Sequence, residues 1–185
     1  MKNKRRKFLI ATHGALAEGF RSSLDMIAGV TEDIYLLQAY IDKSKPVDEE
    51  LADLFRGAGE EAGVAGEEAG VGGEEEEWVV FSDLLGGSIT NQLLRAASQR
   101  AGGGSGAGGA GGAGGAGGAG GAGGAGGAAI HIVAGFNLPL LIEVVLADPA
   151  TPVEEILEAA IGRAREQMVY VNKLITQKNN EGEDA

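Results

Sequence analysis

K-F-L-I-A-T-H-G, residues 7–14, is the stretch on which the reading of this chain turns. Residues 7–12 form a short, largely apolar run, the pattern of a strand buried on both faces. His13 and Gly14 follow at its carboxyl end. A helix pattern comes next: Leu16, Phe20, Leu24 and Ile27 recur on one face, and Gly29 is a plausible stop. Residues 33–40 (D-I-Y-L-L-Q-A-Y) read as a second strand. Pro46 suits the opening turn of a second helix, with Asp48, Glu49 and Glu50 near its positive end and Val47, Leu51, Leu54 and Phe55 as its apolar face.

The same alternation runs on. Residues 78–82 (W-V-V-F-S) are a third strand, and Ile89, Leu93 and Ala97 mark a third helix. Residues 129–134 (A-I-H-I-V-A) are a fourth strand, and residues 138–146 suit a short helix. Thr151-Pro-Val-Glu154 has the form of a capping box with Pro at the first helical position, opening a helix through at least Glu166. Residues 168–175 fit either a continued helix or a strand. Strand–helix alternation of this kind predicts an α/β fold, a mostly parallel sheet with helices on both faces. Ligands on such sheets sit beyond the carboxyl ends of the strands, near the point where the strand order reverses.

Two segments stand apart. Residues 57–77 hold 8 Glu and no Lys or Arg, and from Gly59 repeat with a period of seven residues, Gly-rich and without the paired large apolar residues of a coiled coil. Residues 102–127 are 18 Gly, 7 Ala and Ser105, a Gly-Gly-Ala repeat without the Pro of collagen. Both read as solvated insertions in a single domain spanning residues 1–185. The tract at 102–127 is expected to be tolerated because it lies away from the carboxyl ends of the strands.

Composition excludes several classes. The chain has 185 residues and a formal charge of −12. That sum argues against the basic face that nucleic acid requires, but the acidic segment carries −8 of it, so the rest is close to an ordinary soluble surface and the acidity says little about what it binds. No apolar run approaches the roughly 18 residues of a membrane span, and the run after the basic start is too short for a signal peptide. The absence of cysteine excludes disulfides, thiol catalysis and Cys-ligated metals, and fits a cytoplasmic protein.

Three strand ends collect the chemistry. The first offers Thr12-His13-Gly14, and the third offers Asp83 followed by Leu84-Leu85-Gly86-Gly87-Ser88. The fourth offers Gly135-Phe136-Asn137-Leu138-Pro139. An imidazole can carry a phosphoryl group or move a proton near neutral pH. Asp83 could accept a hydrogen bond from one ring nitrogen and leave the other as nucleophile. Gly86 and Gly87 allow close backbone approach, and a helix begun at Ser88 offers N–H groups and a positive dipole end to an anion. Each feature taken singly is ordinary; their convergence at one sheet edge describes a phosphohistidine site. His131, in mid-strand, reads as a packed core residue.

The segments I-A-T-H-G-A-L-A-E-G-F, D-L-L-G-G-S-I-T-N and A-G-F-N-L-P-L-L-I-E, in that order, resemble the IIA component of the mannose family of the bacterial sugar phosphotransferase system. The resemblance covers most of residues 8–174 outside the insertions. It implies a flavodoxin-like sheet of order 2-1-3-4, with an added antiparallel edge strand at residues 168–174 that a homodimer could exchange. It further implies a phosphotransferase with a phosphohistidine intermediate. His13 would accept phosphate from the histidine-containing phosphocarrier protein HPr and pass it to a sugar-specific IIB component. Asp83 would orient the imidazole, and Thr12, Gly86, Gly87 and Ser88 would hold the phosphate. Asn137, Leu138 and Pro139 would meet the partner proteins. No metal or organic cofactor is implied. One departure is the residue after Gly-Gly-Ser, where many relatives have Pro and this chain has Ile89.

Other readings predict different residues. In a receiver-like signalling domain Asp83 would be the phosphoacceptor, but such domains need paired acidic residues after the first strand, where this chain has Thr12-His13. The phosphotransfer subunit of a dihydroxyacetone kinase uses a similar His after its first strand; H-G-A-L-A-E-G and Asn-Leu-Pro favour the sugar system. A purely regulatory IIA paralogue would keep the same site.

Overall fold

The computed structural model describes residues 5–29, 32–42, 44–60, 76–101 and 129–173. They divide into two compact units, one running to Phe136 and the other beginning at Asn137. The insertion at 102–127 lies outside the described residues, as does the acidic segment from 61 to 75.

The first unit runs β1 (Arg5–His13), α1 (Leu16–Ala28), β2 (Ile34–Ala39), α2 (Val47–Glu60), β3 (Glu76–Ser82), α3 (Ser88–Ala101) and β4 (Ala129–Ala134). Its four strands pair in parallel in the order β2-β1-β3-β4. That order fixes where the helices go. A parallel crossover is almost always right-handed, so a connection moving one way across the sheet and one moving the other way cover opposite faces. The β1–α1–β2 crossover moves one way; β2–α2–β3 and β3–α3–β4 move the other. Accordingly α2 and α3 share a face with Leu9, Ala11, Leu37, Ala39, Trp78 and Val80, and Val47, Leu51, Phe55, Ile89 and Leu93 complete that buried cluster. Alternate strand residues point the opposite way. On that other face Phe81 meets Phe136, which in turn meets Phe20 of α1.

Several sequence expectations shift in detail. The inward positions of α1 are Ala17 and Leu24, whereas Leu16 and Ile27 are exposed. The buried stripe is therefore narrower than the sequence pattern suggested. Both edges of the acidic stretch belong to regular elements: α2 continues to Glu60, and β3 begins at Glu76. The β1–β3 register sets Arg5 opposite Glu76 and Arg6 opposite Glu77. Arg6 Nη2 lies 3.1 Å from Glu77 Oε2, and the fully buried Lys7 places Nζ 2.6 Å from Glu76 Oε1. The basic start of β1 is thus met by the acidic start of β3. His131 joins this end of the sheet, with Nε2 3.7 Å from Glu77 Oε1, so its company is ionic rather than purely apolar.

The second unit contains α4 (Leu138–Val145) and α5 (Val153–Glu166). Asn137 caps α4, its side chain accepting from the Leu140 N–H at 3.1 Å, with Pro139 in the first turn. The Asn137 amide also donates to Ala164 O at 3.2 Å, and Arg163 pairs with Glu143. Helix α5 starts at Val153, so Pro152 sits at the cap and not, as expected, at the first helical position. Residues 168–170 form no strand, and 171–173 make a single helical turn. The anticipated antiparallel strand is therefore not formed among the described residues.

Trp78 anchors the larger buried cluster. Its ring lies 5.1 Å from that of Phe55, edge-on, and 5.2 Å from that of Tyr35. Its indole Nε1 has no hydrogen-bond partner among the described residues. Trp78→Ala is expected to destabilise the protein by about 3–5 kcal/mol through the cavity it leaves. Trp78→Phe, which keeps an aromatic ring and removes the unpaired N–H, should cost markedly less. Urea midpoints at unchanged slope check both.

Candidate functional site

Strands β1 and β3 are neighbours, yet the chain leaves them in opposite directions, through α1 and through α3. The gap this opens at their carboxyl ends is where an α/β sheet binds ligands. His13 ends β1, and Asp83 directly follows β3.

These two residues meet. The Asp83 carboxylate accepts the backbone N–H of His13 at 2.8 Å through Oδ2. Its oxygens also lie 2.9 and 3.1 Å from His13 Nδ1. One carboxylate thereby fixes both the strand end and the ring. Burial raises the Asp83 carboxyl, but the backbone N–H and ring of His13, with the Leu84 N–H, outweigh it and hold Asp83 below its ordinary value. An ionised Asp83 accepts from Nδ1, which makes Nδ1 the protonated nitrogen and leaves Nε2 with its lone pair. The His13 side chain is 38% exposed and that of Asp83 only 11%, so the imidazole is the more accessible of the two groups.

Nε2 faces the start of α3. Ser88 Oγ lies 3.5 Å from it. The first N–H groups of a helix have no intrahelical acceptor and present a positive dipole end. The turn before them is tightly held. Gly87 donates its N–H to Leu84 O at 3.1 Å. Thr90 Oγ1 donates to the same carbonyl at 2.6 Å and contacts Ser82 Oγ at 2.7 Å. Asn91 Nδ2 reaches Gly86 O at 3.3 Å. Gly86 adopts φ 74°, a conformation that favours glycine. A Cβ on Gly87 would come within 3.1 Å of Leu84 O and 3.2 Å of Leu84 Cβ, so a side chain there would crowd the turn itself, while meeting His13 Cε1 only at an ordinary contact distance of 3.7 Å.

The structure thus brings His13, Asp83, Gly87 and Ser88 together and sets Gly86 in the turn that leads into them. Thr12 takes a different place. It is fully buried, and its Oγ1 accepts the Ala17 N–H at 2.7 Å, so its hydroxyl fixes the β1–α1 turn instead of facing the crevice. Asn137, Leu138 and Pro139 open α4 in the second unit. Ile89, the departure after Gly-Gly-Ser, is fully buried in the cluster beneath α3. Sequence reasoning missed Tyr40, Thr90 and Asn91. Tyr40 follows β2 at the same sheet edge, and its ring stacks on that of His13, with centroids 5.6 Å apart. Among the described residues no group of three His, Asp or Glu side chains gathers as a metal site. No helix among them is long and apolar enough to cross a membrane.

Asp83 also ties the site to stability. Because its folded pKa is depressed, its contribution is fully present above the unfolded value and is lost as pH falls through the lower folded one. The gap in melting temperature between wild type and Asp83→Asn should therefore be constant near neutrality and shrink below about pH 4. Thermal melts from pH 3 to 7 check this; a gap independent of pH would show that the charge of Asp83 contributes nothing.

No family model and no curated protein matches the chain. Solved structures do. A Klebsiella pneumoniae protein assigned to the phosphoenolpyruvate-dependent sugar phosphotransferase system as a permease aligns with a TM-score of 0.64 at 22% identity, covering 95% of this chain and 97% of its own. The mannose/sorbose-specific IIA subunit of the phosphotransferase system from Enterococcus faecalis aligns at 0.59 and 20% identity, over 89% and 93%. The IIA protein associated with the fucose utilization operon of Streptococcus pneumoniae aligns at 0.58 and 22%, over 95% and 99%. The likeness spans nearly the whole of each chain, and the fold of this protein is the α/β, flavodoxin-like fold of those phosphotransferase system proteins.

Proposed function

We propose that this chain is a phosphocarrier of the sugar phosphotransferase system: His13 accepts a phosphoryl group from phosphorylated HPr and passes it to a IIB component for sugar uptake. The observation that carries the reading is the division of labour on the imidazole. Asp83 takes Nδ1, and Nε2 is left facing Ser88 and the first turn of α3. The folds of the IIA proteins in sugar phosphotransferase systems support the same reading.

The transfer balances simply. The Nε2 lone pair attacks phosphorus, the bond from phosphorus to the donor nitrogen breaks, and the donor imidazole keeps that electron pair. The Nδ1 proton stays on His13, so the phosphorylated ring is cationic and Asp83 neutralises it. The Ser88 hydroxyl and the N–H groups of the first turn of α3 receive the phosphoryl oxygens. Positioning and charge stabilisation supply the catalysis, with little covalent chemistry left to the protein. Within this reading Thr12 acts as a support of the turn.

The receiver-like alternative makes Asp83 the phosphoacceptor, but both of its oxygens already lie against His13. The contiguous exposed apolar residues Met168, Val169, Tyr170 and Val171 support the homodimer in the same reading.

Phosphate transfer from phosphoenolpyruvate, through enzyme I and HPr, tests the proposal. Wild type should take up an acid-labile, base-stable label, and His13→Ala none. Asp83→Asn should be slower by about a hundredfold, because the carboxylate no longer sets the tautomer or balances the cation. Label retained in His13→Ala would overturn the assignment, and an unlabelled wild type beside labelled HPr would exclude HPr as donor.

A further inference from the structure

Tyr40 is the one residue at this sheet edge whose conformation demands an explanation. It has φ 68°, in the left-handed region that a bulky non-glycine residue rarely adopts. Such a conformation is strained and persists where the surroundings over-determine it. Here three contacts do so. The preceding residue is fixed by the Gly14 N–H, which donates to Ala39 O at 3.0 Å and ties the end of β2 to the turn after His13. The phenol ring stacks on the imidazole, 5.6 Å between centroids at 29°. The phenol O–H donates to Ser88 Oγ at 2.7 Å.

We infer that Tyr40 is a positioning residue for phosphoryl transfer, holding the Ser88 hydroxyl so that its proton points at the outward face of the imidazole. The inference rests on the phosphocarrier reading of His13. A serine hydroxyl has one proton and two lone pairs. With one lone pair taken by the Tyr40 O–H, the Ser88 proton is directed away from Tyr40, toward Nε2 at 3.5 Å in the resting site. After transfer the same proton meets a phosphoryl oxygen. The stacked ring meanwhile limits rotation of the imidazole on the side that Asp83 does not control. Ser88 then needs no reorientation at the moment of reaction, which is the condition under which a fixed dipole contributes most.

Phosphoramidate, a small phosphoryl donor, tests this without a partner protein. Its P–N bond breaks, ammonia leaves with that electron pair, and the new bond forms from phosphorus to Nε2 of His13. Tyr40→Phe keeps the stacked ring and removes only the hydroxyl of a half-exposed side chain. Label counted at His13 should appear about tenfold more slowly than in wild type. Ser88→Ala should also be slow, and the Tyr40→Phe/Ser88→Ala double variant no slower than Ser88→Ala alone. A wild-type rate in Tyr40→Phe, or a double variant slowed by the product of the two single effects, would overturn the inference. Imidazole 15N spectra of the unphosphorylated protein give a second readout that a merely structural role would not move. The Nε2 signal should shift in the same direction in Tyr40→Phe and Ser88→Ala while Nδ1 stays in place. An unmoved Nε2 in Tyr40→Phe would contradict the proposal. If HPr fails to label wild type while these variants behave as expected, the HPr reading fails and the role of Tyr40 stands.

Discussion

The site exists because β1 and β3 lie side by side while their connections depart in opposite directions. Right-handed crossovers then force α1 onto one face and α2 and α3 onto the other. The two paths diverge at the carboxyl ends of β1 and β3. Whatever ends those strands is brought together there, and in this chain that is His13 and Asp83. The buried strand residues Leu9, Ala11, Trp78 and Val80 hold the adjacency. At the opposite end of the same pair, Arg6 with Glu77 and Lys7 with Glu76 reinforce the register. A one-residue slip would turn every strand side chain to the wrong face and separate His13 from Asp83.

Within that gap a single carboxylate does two jobs. Asp83 holds the backbone N–H of His13 and its ring Nδ1 at once, so the imidazole is locked to the strand that carries it. Desolvation works against the charge on Asp83, and the two His13 donors together with the Leu84 N–H overcome it. An ionised, mostly buried carboxylate beside an exposed imidazole is suited to a ring that becomes cationic and neutral in turn. The turn before α3 is held by Thr90 and Asn91. The left-handed backbone at Tyr40 is the local strain that this arrangement tolerates.

The order of elements was legible in the sequence because each strand is a short apolar run and each helix carries a period near 3.6. His13, Asp83 and the Gly-Gly-Ser turn were legible because each lies next to a strand end, and position along a strand is readable without the register. Features that depend on the register were not. Tyr40 reaches His13 and Ser88 only because β2 lies beside β1 in one alignment, with His13 opposite Ala39. The answering charges of β1 and β3 were hidden likewise, since Glu76 and Glu77 looked like the tail of an acidic repeat. The resemblance put Thr12 among the residues that hold the phosphate, but alternation along β1 turns its side chain inward, where it serves the Ala17 N–H. The apolar run at 168–171 shows a related limit: it has strand-like residues but takes no strand conformation.

The central claim is that one nitrogen of one histidine carries the phosphoryl group because Asp83 occupies the other. Phosphorus–nitrogen coupling in 31P and 15N spectra of the phosphorylated, 15N-labelled protein tests it most directly. The account predicts a single phosphorus signal coupled to Nε2 of His13, with a proton still on Nδ1. A phosphoryl group on Nδ1 of His13, on His131 or on the Asp83 carboxylate would contradict it.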